Sequence, residues 1–370
     1  MESVHGRKSQ ERRLSLGQVD RLNTKLVLTC VLGAVVIAVM LWSVGPERLT
    51  ELVSGALPGH LAAAALAIVF LNVIATIRWQ LLMSSLGYEL SFADSFFQIS
   101  GAFLLSTLTP GRAGEVFRLY LSKRISHIDA SHSGAALLIE RACDLSVMSS
   151  LILLGLVTGM GAQLGAFGDA ARITVGFTLL LVAVLVLSVR HRAVMGLVVR
   201  VLSFGGRRGV PGCARGAEKI EESIPAFLSV ARRVSVPTVF GITVLIWAAQ
   251  VARMWFICIA VGADISPMVV GLTYCLGLLL GVVSYIPGGL VVTEGTMVGL
   301  LVVHGVPTDI ATVGVVIDRL CAYWTAVVVG VMSLSYKADV LLFDISSGEI
   351  PDMADEETAT CPADDEGEEE

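Results

Sequence analysis

Arginines and carboxylates stand inside apolar stretches of this sequence at spacings that could bind an anion. Glu140, Arg141 and Asp144 lie about ten residues into one such stretch, where an ionised side chain costs roughly 2.5 to 3.5 kcal/mol on membrane-insertion scales. On a helix, Arg141 can pair with Asp144 three residues later. Asp318 and Arg319 repeat the motif in a later stretch. These groups fit either a path for anionic headgroups or structural ion pairs that lock helices together.

Two Pro-Gly breaks interrupt apolar segments of the chain. The residues concerned are Pro110, Gly111, Pro287, Gly288 and Gly289. Proline lacks an N–H and glycine relaxes the backbone, so one helix can end there and another can begin. The free N–H groups of a new helix attract anions, and Arg112 would add a fork of donors suited to phosphate. For either break alone, a kink that permits close packing is the simpler interpretation, but two breaks at matching places, each followed by a glutamate, favour a functional role.

The residue pattern does not indicate a metal site, a disulfide framework or a catalytic site. The seven cysteines are scattered singly without a C-x-x-C pair, and the six histidines show no ligand spacing, which argues against a zinc site or a disulfide framework. The sequence contains no nucleophile elbow, phosphate loop or metal motif. We therefore expect no enzyme activity, no metal, no cofactor and no nucleic-acid partner.

Composition places the charged residues in a membrane protein. Of the 370 residues, 55% are hydrophobic and 16% are charged, and the mean hydropathy is +0.78, far above the average of soluble chains. Several apolar runs reach the length of about 17 to 25 residues that a helix needs to cross a bilayer. The predicted crossing helices cover residues 26–44, 61–79, 132–160, 173–189, 238–261 and 310–336. The first of these is expected to be retained rather than cleaved as a signal peptide.

Two further apolar segments are interrupted by the breaks. Residues 92–109 are nearly long enough to cross, but Arg112, Glu115 and Arg118 make the returning limb a poor spanning helix, so we expect a re-entrant hairpin. Residues 268–286 and 290–303 form the second interrupted segment. The sequence leaves open whether this segment is re-entrant or crosses twice. The predicted fold is an all-α polytopic membrane protein of about six crossing helices and two interrupted hairpins.

The two halves of the chain repeat one constellation of residues. Arg78 is matched by Arg253, Pro110 by Pro287, Glu115 by Glu294, Glu140 by Asp318 and Arg141 by Arg319. The matched arginines and prolines are offset by 175, 177 and 178 residues, which indicates an internal repeat. Each half holds three crossing helices, and an odd number inverts the second half relative to the first. Many transporters are built in this way and bind their substrate between the halves.

Charge divides the chain into segments. We predict a basic cytoplasmic N-terminus (1–25), a transmembrane domain (26–336) with halves at 26–160 and 172–336 and a basic cytoplasmic loop at 190–236, and an acidic disordered tail (337–370). Residues 344–370 hold twelve acids and no Lys or Arg, which leaves the rest of the chain at a net charge of +6. The positive-inside rule then predicts a multi-pass plasma (cytoplasmic) membrane protein with both termini in the cytoplasm. The basic loop is either a linker or an element lying on anionic lipid.

Three motifs of the sequence together resemble a known family. PGRAGEVFR (110–118), ERACD (140–144) and PGGLVVTE (287–294) resemble the lysylphosphatidylglycerol synthase transmembrane-region family, and the likeness covers roughly residues 26–336. This is the flippase-like domain of multiple peptide resistance factor proteins, which also occurs as stand-alone bacterial and archaeal membrane proteins. Val291 departs from the family's usual glycine, which predicts a less open second turn. The resemblance implies movement of anionic or aminoacylated phospholipid, or of a related lipid carrier, without synthase activity.

The sequence therefore predicts a lipid translocase with membrane phospholipid as its partner. The candidate headgroup-binding residues are Arg78, Arg112, Arg118, Arg141, Arg253 and Arg319, and the carboxylates expected to tune them are Glu115, Glu140, Asp144, Glu294 and Asp318. Two alternatives are an ion-coupled carrier of a small organic anion and a non-transporting membrane partner of a lipid-modifying enzyme. A homo-oligomer or a complex with a lipid-synthesis enzyme is compatible with each.

Overall fold

A computed structural model describes residues 38–108, 114–158, 230–283 and 291–336, together with residues 35, 168–169, 171–173, 175–176, 178–180 and 182–183. Most of the predicted first crossing helix and much of the fourth lie outside these residues. Over the described part of the chain, all regular elements are helical. They are α1 (Pro46–Ser54), α2 (Pro58–Ser85), α3 (Phe92–Leu108), α4 (Gly114–Ser126), α5 (Ala130–Val157), α6 (Val236–Ala260), α7 (Pro267–Val283), α8 (Val292–Val303) and α9 (Thr308–Tyr336).

The longest helices match the length of a bilayer. Three of them, α2, α6 and α9, are long and apolar enough to cross a membrane. The fourth long helix, α5, has 28 residues, about 42 Å, and carries Glu140, Arg141 and Asp144 among its apolar residues. These helices and the shorter apolar ones confirm the predicted class, an all-α polytopic membrane protein.

Corresponding helices of the two halves have similar lengths. Helices α2, α3, α4 and α5 have 28, 17, 13 and 28 residues, and α6, α7, α8 and α9 have 25, 17, 12 and 29. Each half therefore contains a long helix, a pair of short helices and a second long helix, in the same order.

The first long helices of the two halves run antiparallel. Helix α2 makes its most extensive contact with α6. The N–H of Leu57, immediately before α2, donates to the carbonyl of Ala260, the last residue of α6, at 3.0 Å. The start of one helix therefore lies beside the end of the other.

The second long helices of the two halves, α5 and α9, also run in opposite directions. Tyr88, just after α2, contacts His132 at the start of α5 at 2.9 Å. At the other face, Arg48 of α1, just before α2, donates to Asp309 at the start of α9 at 2.7 Å. Since α5 and α9 begin at opposite faces, the second half is inverted relative to the first.

Short helix pairs form a hairpin in each half. Gln98 in α3 donates to Ser126, the last residue of α4, at 2.9 Å, so α4 returns to the face where α3 began. In the second half, α8 packs on α7 and ends five residues before α9 begins. With 12 residues, α8 is only about 18 Å long, too short to cross a hydrocarbon layer of roughly 30 Å. The length favours a re-entrant second hairpin over two crossings.

Each hairpin packs against the last helix of the other half. Helix α3 contacts α9, and α7 contacts α5. Small residues allow both approaches. A Cβ added to Gly330 of α9 would lie 2.6 Å from the Leu104 side chain of α3, and one added to Gly155 of α5 would lie 3.0 Å from Leu272 of α7. The two halves are therefore interlocked at equivalent places.

One cluster of the buried core includes the end of the helix assembly where α2 finishes and where α5 and α6 begin. Leu86, Ile128 and Val234 belong to one buried cluster, so the segments after α2, before α5 and before α6 share one face. The basic residues at 123–124 and 232–233 flank this cluster. Their shared face agrees with the charge rule, which predicts it to be cytoplasmic.

Candidate functional site

Six charged residues from three helices of the first half form what we call the first cluster. They are Arg78 of α2, Glu115 and Arg118 of α4, and Glu140, Arg141 and Asp144 of α5. All six were predicted as site residues from the sequence. Their positive and negative charges are equal in number, so the cluster is neutral when every member is ionised.

Glu140 is the centre of the first cluster. Its Oε1 lies 2.9 Å from Arg78 Nη2 and 2.6 Å from Arg141 Nη2. Arg118 donates to both carboxylate oxygens at 3.2 Å, the two-point geometry that suits a guanidinium fork. Three positive charges therefore surround one carboxylate that is 2% exposed.

Asp144 connects the first cluster to the second half. Arg78 Nη1 donates to its Oδ1 at 2.8 Å, and Arg141 Nη1 lies 3.2 Å from its Oδ2 at the predicted helical spacing. The indole N–H of Trp247, on α6, donates to the same Oδ1 at 3.2 Å. Arg78 also donates to Thr243 of α6 at 3.0 Å.

Arg118 is held from its other side by an aromatic ring. Its guanidinium carbon lies 4.3 Å from the centre of the Trp79 ring, within the range of a cation–π contact. The indole N–H of Trp79 donates to Gln98 at 2.8 Å, which fixes the ring. Arg118 is thus held between α2 and α5.

Arg141 and Glu115 form the accessible edge of the first cluster. Their side chains are 29% and 23% exposed, and the two groups lie 3.4 Å apart. The other four charged side chains are all less than 10% exposed. A ligand approaching this cluster would therefore meet Arg141 first, with the buried arginines behind it.

The second half contains a smaller group, which we call the second cluster. It consists of Arg253 of α6, Tyr274 of α7, and Asp318 and Arg319 of α9. Arg253 Nε and Arg319 Nη2 donate to separate oxygens of Asp318 at 2.9 and 2.7 Å. Arg253 also donates to the Tyr274 hydroxyl at 2.9 Å, and Arg319 lies 5.4 Å from the centre of the Tyr274 ring.

Trp247 and Tyr274 join the two clusters. Trp247 binds Asp144 of the first cluster, and its ring centre lies 6.4 Å from that of Tyr274 in an edge-on arrangement. Tyr274 in turn binds Arg253 of the second cluster. The charged groups of the two halves therefore belong to one connected assembly between the helices.

Glu294 lies in the first turn of α8 and differs from its repeat partner. Glu115 pairs with Arg141, whereas Glu294 is 2% exposed and neither of its carboxylate oxygens has a hydrogen-bond partner in the described part of the chain. That Glu294 tunes an arginine stays a prediction.

Several predicted site residues lie outside the described residues. They are Pro110, Gly111, Arg112, Pro287, Gly288 and Gly289, so both breaks and one arginine stay predictions. Over the residues that the structure describes, no three histidine, cysteine or carboxylate side chains converge as metal ligands.

The residues that sequence reasoning missed are Gln98, Thr243, Trp247 and Tyr274. Uncharged residues in an apolar run carry little signal, because lipid-facing and buried positions have similar composition. The internal repeat did contain a signal for two of these residues. Gln98 and Tyr274 are 176 residues apart, within the repeat offset, and each contacts the polar assembly from the first helix of a hairpin.

Fold and site together define a polytopic membrane protein of two inverted helical repeats with connected charged clusters in its interior. A family model described as Lysylphosphatidylglycerol synthase TM region matches residues 26–330. The chain belongs to this family, as the three motifs indicated.

Relatives of similar length are archaeal membrane proteins. A UPF0104 membrane protein of Methanothermobacter thermautotrophicus is 24% identical over 332 residues, covering 84% of this chain and 95% of that protein. One from Pyrococcus horikoshii is 22% identical over 324 residues, covering 83% and 95%. Glycosyltransferase AglD of Haloferax volcanii is 26% identical over 294 residues, which are 71% of this chain but 46% of that protein.

Proposed function

We propose that this protein moves anionic or aminoacylated phospholipid, or a related lipid carrier, between the leaflets of its membrane. The observation that supports the proposal is the joining of two arginine clusters, one from each inverted half, inside a helical membrane domain. Guanidinium forks match phosphate oxygens in geometry and charge. A phospholipid phosphate is the anion that such a site meets within the membrane.

Carboxylates pair with the arginines when no ligand is bound and hold them in position. An unpaired guanidinium at membrane depth is costly, so it needs a partner when no ligand is bound. Asp144 and Glu115 lie 3.2 and 3.4 Å from Arg141 Nη1, distances at the loose end for a charged pair. A phosphate at the accessible edge can exchange with these contacts, while Glu140 keeps Arg78 and Arg118 in position.

The interlocked hairpins suit alternating access. Each hairpin packs on the last helix of the opposite half, so a rocking motion of the halves would shift both hairpins together. Inverted-repeat transporters expose a central site to each side by such motions. On this proposal the protein is a transporter of the cytoplasmic membrane rather than an enzyme, with both termini in the cytoplasm.

Leaflet exchange in vesicles containing the purified protein tests the proposal. Phospholipids of several headgroups, labelled on an acyl chain, are compared by adding a membrane-impermeant quencher to one side. Anionic phospholipid should exchange at least tenfold faster than in protein-free vesicles and faster than zwitterionic phosphatidylcholine. If no anionic or aminoacylated lipid exchanges faster than in protein-free vesicles, the proposal is wrong.

A carrier of a small organic anion would use the same charged groups. This alternative predicts that uptake of a soluble anion depends on an ion gradient and that lipid exchange stays at the protein-free rate. The vesicle measurement therefore separates it from lipid transport.

A third candidate is a membrane partner of a lipid-modifying enzyme. One observation favours it, since the matched region forms under half of a longer relative named as a glycosyltransferase. Recruitment through the acidic tail would require residues after Lys337. Truncation there should abolish function on this view and leave lipid exchange within about twofold on ours, because the tail carries no residue of either cluster.

A further inference from the structure

Glu294 is a buried carboxylate with little compensation for its charge. It is 2% exposed, and within the described residues neither oxygen accepts a hydrogen bond of normal geometry. Around it on α8, Met297, Leu300 and Leu301 are fully buried. An ionised carboxylate in such surroundings is strongly disfavoured, and binding a proton removes the charge.

The charged and titratable groups near Glu294 come from the two helices packed on α8. Helix α9 contributes Arg319, which attracts the Glu294 carboxylate electrostatically, and Tyr323, whose hydroxyl acts on it as a weak donor. Asp318 lies beside Arg319. Helix α7, which packs on α8, carries the buried Tyr274 and Cys275. Arg319 attracts Glu294 electrostatically, yet its ion pair is with Asp318 at 2.7 Å.

Protonation of Glu294 would change the net charge of the group formed by Glu294 and the second cluster. Two guanidinium groups, of Arg253 and Arg319, face one carboxylate, Asp318. With Glu294 ionised the group is neutral, and with Glu294 protonated it carries one positive charge. The protonated form therefore matches a ligand with one negative charge, such as the phosphate of a monoanionic phospholipid.

We infer that Glu294 is a proton-binding site that couples lipid movement to a proton gradient, an inference that rests on the proposed function. A proton from water forms an O–H bond at the Glu294 carboxylate as one anionic headgroup binds to Arg253 and Arg319. After the site opens to the other side, the lipid leaves and the proton returns to water. One proton and one negative charge move together, so the cotransport is electroneutral.

Infrared spectroscopy tests the protonation state without a transport measurement. The full chain in vesicles of phosphatidylglycerol, which supply the anionic headgroup, should show the carbonyl stretch of a protonated carboxylic acid at neutral pH. Glu294→Gln should remove this band, whereas the matched change at the repeat position, Glu115→Gln, should leave it unchanged. Absence of the band from the wild type, or its persistence in Glu294→Gln, would overturn the inference.

A pH gradient across vesicles tests the coupling. Acyl-labelled phosphatidylglycerol should accumulate in the leaflet on the alkaline side, at equilibrium by about tenfold per pH unit for one proton per lipid. A proton ionophore or omission of the protein should abolish the accumulation. Wild-type protein that exchanges the lipid but ignores the gradient refutes coupling and leaves the proposed function intact. Absence of exchange removes both.

Discussion

Glu140 shows how a charged residue becomes tolerable at membrane depth. Three arginines from three helices bind this one carboxylate. Two of them have a second carboxylate partner, since Arg78 also binds Asp144 and Arg141 also binds Glu115. Breaking a buried ion pair by removing one partner usually destabilises a protein more than the pair itself stabilises it, because the other charge is left buried. The stability of the first cluster therefore depends on Glu140 more than on its other members.

Neutralising Glu140 should destabilise the protein. In Glu140→Gln, three guanidinium groups lose their common anion, and we expect a loss of about 3 kcal/mol or more in the free energy of unfolding. Thermal unfolding followed by tryptophan fluorescence measures the change. Glu51→Gln is the control, since Glu51 forms an exposed pair with Arg48, and its Tm should not move. Equal Tm values for the two variants would contradict the role of Glu140.

Val291 adopts a backbone conformation that disfavours its side chain. Its φ is 72°, in the left-handed region where a β-branched residue is an outlier. This is the position at which the family resemblance led us to expect glycine. The departure noted in the sequence therefore coincides with local strain immediately before α8.

Glycine at position 291 should stabilise the protein. Val291→Gly removes the clash between Cβ and backbone, and the Val291 side chain is 49% exposed, so little burial is lost. We expect a gain of about 1 kcal/mol, after the entropy cost of glycine is subtracted. Val298→Gly, in the interior of α8, should instead lower Tm. A lower Tm for Val291→Gly as well would show that the position is not strained.

Residue contacts were predictable only where they are local. Arg141 and Asp144 are three residues apart on one helix, and the spacing alone predicted their contact. The two-point contact between Arg118 and Glu140 joins α4 to α5, and the sequence contains no signal for the angle between those helices. Glu294 was expected to tune an arginine, and the sequence contains no signal for how deeply α8 buries this residue.

At the scale of elements, the thickness of the bilayer sets where the long helices begin and end. The predicted helices at 61–79 and 238–261 begin within three residues of α2 and α6, because apolar runs of spanning length are the strongest signal in such a sequence. The end of α2 was predicted six residues early, at Trp79. The helix continues past Arg78, which pairs with Glu140 and Asp144.

The contact between α3 and α9 should be sensitive to a single methyl group. In Gly330→Ala, the new Cβ would lie 2.6 Å from Leu104 and 3.1 Å from the Ser100 carbonyl oxygen, so α9 must move away from the hairpin. We expect destabilisation by about 1 to 3 kcal/mol, measured by thermal unfolding.

The matched control is Gly241→Ala in α6. An added Cβ there meets nothing within 4 Å, and alanine favours the helix by roughly 1 kcal/mol over glycine. Its Tm should stay equal or rise. If Gly330→Ala behaved in the same way, the close packing of the hairpin on the opposite half would be disproved.

At the scale of the whole molecule, inversion brings the two clusters together. Arg78 and Arg253 stand on the antiparallel helices α2 and α6, and the last helices α5 and α9 carry the matching acid and arginine pairs. The sequence repeat predicted this symmetry, because the matched residues occur in one order at nearly one offset. It did not predict the link through Trp247 and Tyr274, which depends on how the halves pack.

A double-mutant comparison of lipid exchange tests directly whether the two clusters serve one path. In vesicles, Arg141→Gln and Arg319→Gln should each slow exchange of anionic phospholipid by about tenfold or more, the loss expected for one charged hydrogen bond. Unfolding measurements confirm that each variant is folded. If the clusters act in sequence on one lipid, the slowest step sets the rate, and the double variant should be about as slow as the slower single variant. Two effects that multiply, or single variants that exchange lipid at the wild-type rate, would contradict a shared path.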